Sequence, residues 1–105
     1  MNRKVLSLLG IAQRGRNLVS GEFSTEKAIK EGKACLVLIA DDASDNTKKH
    51  FRDMCAFREV PVKELENKEE IGHAIGKEMR ASVAITDLGI ANAIIKELES
   101  LERTD

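Results

Sequence analysis

Two cysteines, two histidines, three aspartates behind apolar runs and a basic N-terminal third are the residues of this chain whose types could do chemistry. Cys35, Cys55, His50 and His73 could ligate a metal, but their spacing matches no zinc pattern. Cys35 falls in the apolar run CLVLIA and Cys55 on the inward side of a predicted helix. Both read as small core residues, because a nucleophilic thiolate needs an electropositive loop. Gly10, Gly15 and Gly21 are too widely spaced for a phosphate-binding loop, and no G-x-x-x-x-G-K-S/T run occurs. No catalytic residue, metal site or cofactor is expected.

The most enzyme-like arrangement is acidic. Asp41 and Asp42 follow one apolar run and Asp87 follows another, VAITDLG. A phosphoacceptor site would use such carboxylates to hold magnesium and supply a nucleophilic aspartate. That chemistry also needs further strands bearing a hydroxyl residue and a lysine, and only one predicted helix follows Asp87. The simpler reading is capping, with Asp42 or Ser44 opening the third helix and Asp87 the last.

The basic residues are more suggestive. Residues 1–33 carry seven Lys/Arg against three Asp/Glu, residues 34–60 four against five, and residues 61–105 six against ten. The overall charge of −1 thus hides a basic start and an acidic end. Lys27 and Lys30 lie on the predicted second helix, Lys33 follows it, and Arg14 and Arg16 precede the strand leading in. Free N–H groups at a helix start, with cations nearby, suit phosphate oxygens. Glu22, Glu26 and Glu31 dilute that field.

The elements that must position these residues follow from hydrophobic period. Val5, Leu8, Leu9 and Ala12 form a helical stripe over Arg3–Gln13, widened by Leu6 and Ile11. LVS reads as a short strand, and Ser24 or Thr25 as the cap of a helix ending at Gly32. Cys35–Ala40 reads as a central strand buried on both faces. Thr47–Arg58 is helical, with Phe51, Met54, Cys55 and Phe57 inward. VPVKEL is a strand that Pro61 assigns to an edge. A short helix over Lys68–Gly76 and a buried strand, SVAIT, come next. Asp87–Glu102 closes the series with Leu88, Ala91, Ile94, Ile95, Leu98 and Leu101 inward. Alternating helices and strands predict an α/β protein, a three-layer α-β-α sandwich with a small mixed sheet, as one domain over residues 1–105.

Hydrophobic residues make up 42%, enough for one core. Trp and Tyr are absent and Phe occurs three times, which argues against a platform of several base-stacking aromatics. No apolar run reaches the roughly 20 residues of a membrane span. With no export signal read in the basic-then-apolar start and only two cysteines, the expectation is a cytoplasmic monomer without structural disulfides or membrane contact.

Four stretches in order, VSGEFSTEKAIKEGKACLVLIADDAS, DMCAFREVPV, KEEIGHAIG and ASVAITDLGIANAI, make the chain resemble the superfamily of ribosomal proteins large-subunit 7Ae and 30e. More narrowly it resembles the small bacterial members, over residues 3–100. The resemblance implies an α-β-α sandwich, no catalysis, and recognition of kink-turns in RNA. It implies that the helix start enters the RNA groove at tandem sheared G·A pairs, here Gly21, Glu22, Phe23, Ser24 and Lys27. It implies a second loop packed on an extruded nucleotide, here Lys77, Glu78, Met79, Arg80 and Ala81, with Met79 as the apolar contact. Lys68 matches a basic residue that the family places shortly before a Leu/Ile-Gly pair.

Two positions depart from the family signature G-x-N-E-x-T-K: Phe23 stands for Asn and Ser24 for Glu. A lost base-edge contact costs about 1–3 kcal/mol of discrimination, so weaker or less selective binding is expected. Phe23 is expected to tuck into the core, with stacking on a base as the alternative. The reading is a module for structured RNA, ribosomal or messenger leader, with phosphate contacts from Arg16, Lys27, Lys30 and Lys33. The ribosome is one setting for it. The alternative is a protein-interaction module that kept the fold and lost RNA.

Overall fold

A computed structural model describes residues 2–102. The elements run α1 (Arg3–Arg14), β1 (Leu18–Ser20), α2 (Glu22–Lys30), β2 (Leu36–Ala40), α3 (Asp45–Arg58), β3 (Val62–Leu65), α4 (Lys68–Ala74), β4 (Ser82–Ile85) and α5 (Leu88–Glu102). Sheet order is β1-β4-β2-β3. β4 is antiparallel to both β1 and β2, whereas β2 and β3 are parallel. A parallel pair needs a crossover, and α3 supplies it. Helix α1 packs on α4 and α5 in one layer, and α2 packs on α3 in the other. This is the expected three-layer α-β-α sandwich with a small mixed sheet.

The core follows from the apolar runs. All five residues of β2 and all four of β4 are buried, as strands with helices on both faces require. Val5, Leu9 and Ala12 bury the α1 stripe, and Phe51 is the largest side chain with no exposure. Pro61 precedes β3, which lies at the sheet edge as predicted. Ser44 caps α3, its Oγ accepting from the Thr47 N–H at 3.1 Å. Asp87 Oδ2 accepts from the Ile90 N–H at the start of α5, 2.9 Å away. Asp42 serves a different helix, accepting from the Lys68 N–H of α4 at 2.9 Å. The simpler reading therefore holds for Ser44 on α3 and for Asp87 on α5, whereas Asp42 serves the start of α4 instead.

Several inward assignments are overturned. Phe57 is 84% exposed, Leu88 63%, Leu101 48% and Ile11 48%. Phe57, Leu88 and Leu101 lie at the ends of their helices, and Ile11 lies off the buried Val5–Leu9–Ala12 stripe. Phe23 is also outside the core, at 79% exposure. Helix α2 begins at Glu22 with Gly21 at its N-cap, so Ser24 and Thr25 are helical residues rather than caps. Thr25 is buried, and its Oγ1 receives the Ser82 hydroxyl at 3.4 Å.

Both cysteines are free thiols, Cys55 buried and Cys35 part-exposed. Burial pushes the Cys55 thiol up to about 11, because the thiolate would be desolvated. The folded thiol therefore holds its proton more tightly than the unfolded one, near 9.0. Its contribution to stability is intact below the unfolded value and is lost as pH rises through about 11. A disulfide reagent at pH 8 is expected to titrate one thiol in the native protein and both in denaturant. Native Cys35→Ala should then react with none.

Candidate nucleic-acid interface

The polypeptide turns sharply between β1 and α2. Gly21 has φ +92° and ψ 160°, a conformation open to glycine, and an added Cβ there would meet no atom within 4 Å. Among the described residues no side chain caps α2. Its first internal bond runs from the Thr25 N–H to the Gly21 carbonyl, so the N–H groups of Glu22, Phe23 and Ser24 face outward without a backbone carbonyl to serve. The helix dipole adds partial positive charge at the same place. Lys27, one turn in, is exposed and pairs with no carboxylate among the described residues.

Strand direction brings a second segment beside this start. β4 is antiparallel to its neighbours, so its first residue lies at the end where β1, β2 and β3 finish. The loop entering β4 therefore sits next to Gly21. The Gly21 N–H donates to the Ser82 carbonyl at 2.9 Å, and Arg80 Nε donates to Ser20 Oγ at 3.1 Å. Lys68 is tied in from behind, its carbonyl accepting from the Arg80 N–H at 3.1 Å. The loop itself folds back on α4 through Lys77 N–H to the Gly72 carbonyl, 2.8 Å. Lys77, Glu78 and Met79 are exposed, Met79 by 56%, while Arg80 and Ala81 are half-buried.

Gly21, Glu22, Phe23, Ser24 and Lys27 are thus gathered with Lys77, Glu78, Met79, Arg80, Ala81 and Lys68 at one end of the sheet. Arg16 and Lys33 are not gathered there. They precede β1 and β2, whose first residues both pair with Ile85 at the far end of β4. The five residues of β2 separate the two ends by about 15 Å. Lys30 lies in the last turn of α2, its ammonium 3.9 Å from Glu26 and its carbonyl accepting from Arg58 Nη1 at 2.9 Å. Lys33 pairs with Glu31 at 3.4 Å. Close spacing along the chain groups these cations in the sequence, and the sheet separates them in space.

The interface is of mixed charge. Asp41, Asp42 and Glu66 finish β2 and β3 at the same end, and Glu78 sits in the loop. Its cations come from Lys27 on α2, Lys68 at the start of α4, and Lys77 and Arg80 on the loop. Ser20, Ser82 and Thr25, which brace this corner, carried no signal in one sequence, since ordinary hydroxyl residues become informative only once β1, α2 and β4 are juxtaposed.

One group of potential metal ligands was also invisible to spacing. Glu22, Glu26 and His50 each bring a ligand atom within 4.8 Å of the others, across α2 and α3. His50 Nε2 lies 3.4 Å from Glu26. Cys35 and Cys55 take no part in this group. Among the described residues no helix is long and apolar enough to cross a membrane.

The model of the ribosomal protein L7Ae/L30e/S12e/Gadd45 family matches residues 3–95. The RNA-binding protein YlxQ of Bacillus subtilis is 47% identical over 92 residues, spanning 88% of this chain and 92% of that protein. Its namesake in Enterococcus faecium is 42% identical over 89 residues, 85% of each. A protein of unknown function from Bacillus halodurans superposes with a TM-score of 0.88 at 38% identity, covering 91% of this chain and 97% of that one. The Giardia lamblia 15.5kD RNA binding protein superposes with a TM-score of 0.80 at 25% identity, covering 94% and 88%.

Proposed function

This chain belongs to the ribosomal protein L7Ae/L30e/S12e/Gadd45 family, and from that premise we propose that it is a non-catalytic RNA-binding protein recognising a kink-turn, or a related kinked internal loop, in structured RNA. One observation carries the reading. The uncapped start of α2 and the Lys77–Ala81 loop are held side by side by the Gly21–Ser82 and Arg80–Ser20 hydrogen bonds. The first offers three outward N–H groups and Lys27 to the phosphates and base edges of a groove. The second offers Met79 as an apolar surface for a nucleotide outside the stack. RNA-binding relatives, YlxQ and the Giardia protein, support the substrate class.

Phe23 and Ser24 take the places where the family signature reads guanine edges, so selectivity here rests on backbone amides, lysines and the loop. Binding to a labelled kink-turn duplex should exceed binding to a control whose tandem G·A pairs are Watson–Crick. Lys27→Ala should weaken it and reduce the slope of log affinity against log salt by about one, as loss of a phosphate contact does. Arg16→Ala and Lys33→Ala, at the other end of the sheet, should leave it close to unchanged. Equal weak binding to both RNAs would reject the reading and favour a protein-interaction module, to which the exposed Phe57 would then point.

A further inference from the structure

We propose that Phe23 is a stacking platform for one unpaired nucleobase, with Lys27, one turn along the helix, holding the adjoining phosphate. This deepens, and rests on, the reading that the start of α2 faces RNA. Phe23 is the second residue of α2 and is 79% exposed. With Glu26, Lys27, Lys30 and Glu31 it lines a single shallow cavity of about 290 Å³. Residues 23, 26, 27 and 30 share one face of a helix, so ring and ammonium groups form a track along α2 rather than a scatter of surface side chains.

The charges along that track are not equivalent. Glu26 is engaged by Lys30 at 3.9 Å and by His50 at 3.4 Å, whereas Lys27 is unpaired among the described residues. The cavity therefore presents an aromatic face beside an uncommitted cation. An apolar peptide would leave that cation unanswered, and an anion alone would leave the ring in water. A nucleotide answers both, its base on the ring and its phosphate on the ammonium.

The stacked base has to be unpaired. Bases inside a helix offer their edges to a protein, and their faces are covered by neighbours. A kinked internal loop supplies both parts, with stem grooves for the helix start and extruded nucleotides for Phe23. Stacking tolerates any base, because every base has a π-face. Recognition would thus shift from reading guanine edges, where the family signature has Asn and Glu, to capturing an extruded base beside them. The scarcity of aromatics in the chain limits such capture to one base.

The absence of Trp and Tyr makes the test direct. Phe23→Trp places a single indole at the site, and Phe57→Trp, in the exposed last turn of α3, places one elsewhere. Each would be titrated with a kink-turn RNA and with a duplex lacking unpaired nucleotides, while anisotropy of the labelled RNA reports binding independently. The expected result is strong quenching of the Phe23→Trp emission by the kink-turn RNA alone, with Phe57→Trp unaffected by either. Phe23→Ala should weaken kink-turn binding about tenfold, and Phe23→Trp should retain it. Because Phe23 is outside the core, all these variants should fold. Binding without quenching, or wild-type affinity for Phe23→Ala, would overturn the platform and leave the RNA reading standing. Emission that changes with protein concentration in the absence of RNA would overturn it in favour of self-association. Failure of the wild-type protein to prefer the kink-turn would instead sink the functional reading itself.

Discussion

Gly72→Ala is expected to destabilise the protein by about 1–3 kcal/mol and to lower RNA affinity at the same time. Gly72 lies in α4 under the Lys77–Ala81 loop. A Cβ there would fall inside the Glu78 carbonyl oxygen, 2.6 Å from the Glu78 carbonyl carbon and 3.2 Å from the Lys77 oxygen. All three atoms are backbone, so no side chain can swing away to make room. The loop must lift, and the Lys77 N–H to Gly72 carbonyl bond of 2.8 Å goes with it. Alanine is worth about 1 kcal/mol more than glycine inside a helix, which works in the opposite direction. Overpacking against backbone, with a lost hydrogen bond worth about 1 kcal/mol, outweighs that gain. Urea denaturation should show a lower midpoint with an unchanged slope. A midpoint that rises would mean the loop does not rest on α4 as described. RNA affinity reports the same displacement from the other side, because Met79 and Arg80 ride on the loop.

For Gly21→Ala the expected cost is of similar size, about 1–3 kcal/mol, but its origin is different. No atom lies within 4 Å of the added methyl group, so there is nothing to clash with. The penalty is conformational. At φ +92° and ψ 160° an L-residue is strained, and relief would change the direction in which the chain enters α2. The melting temperature should fall by roughly 5–15 °C for a domain of this size. RNA binding should suffer beyond the stability loss, measured at a temperature where the variant is fully folded. In the proposed complex the methyl group would stand between the RNA backbone and the outward N–H groups of Glu22, Phe23 and Ser24. A variant that melts lower yet binds RNA normally would mean that the open space beside Gly21 is not used.

The elements and the layers they form are legible in the amino-acid sequence alone. The β2 run is apolar throughout and β4 is apolar from Val83 to Ile85, as strands with helices on both faces require. Pro61 before VKEL excluded a central position, since it cannot donate to a ladder. Asp87 was legible as a cap because its interaction is local, three residues along the chain. The segments that the family signature marks, Gly21–Lys27 and the loop before β4, lie side by side at one end of the sheet.

Where interactions are not local, residue type was silent or misleading. The Ser24 and Thr25 hydroxyls resemble caps, yet the β1–α2 turn starts the helix three residues before Thr25 and leaves that hydroxyl facing Ser82 on another element. Phe57, Leu88 and Leu101 continue apolar stripes, but a stripe tells which face of a helix turns inward and not where the opposing layer ends. Residue type puts Phe23 in the core, since large apolar residues are usually buried, and only the packing of α2 leaves it outside. Arg16, Lys27 and Lys33 form one basic cluster on paper. The antiparallel pairing of β4 with its neighbours sends the first and last of these to the opposite end of the sheet from Gly21, and brings in Lys77 and Arg80 from fifty residues downstream. The elements arise from short-range periodicity that a reader can count. The interface is decided by strand direction, which depends on long-range pairing.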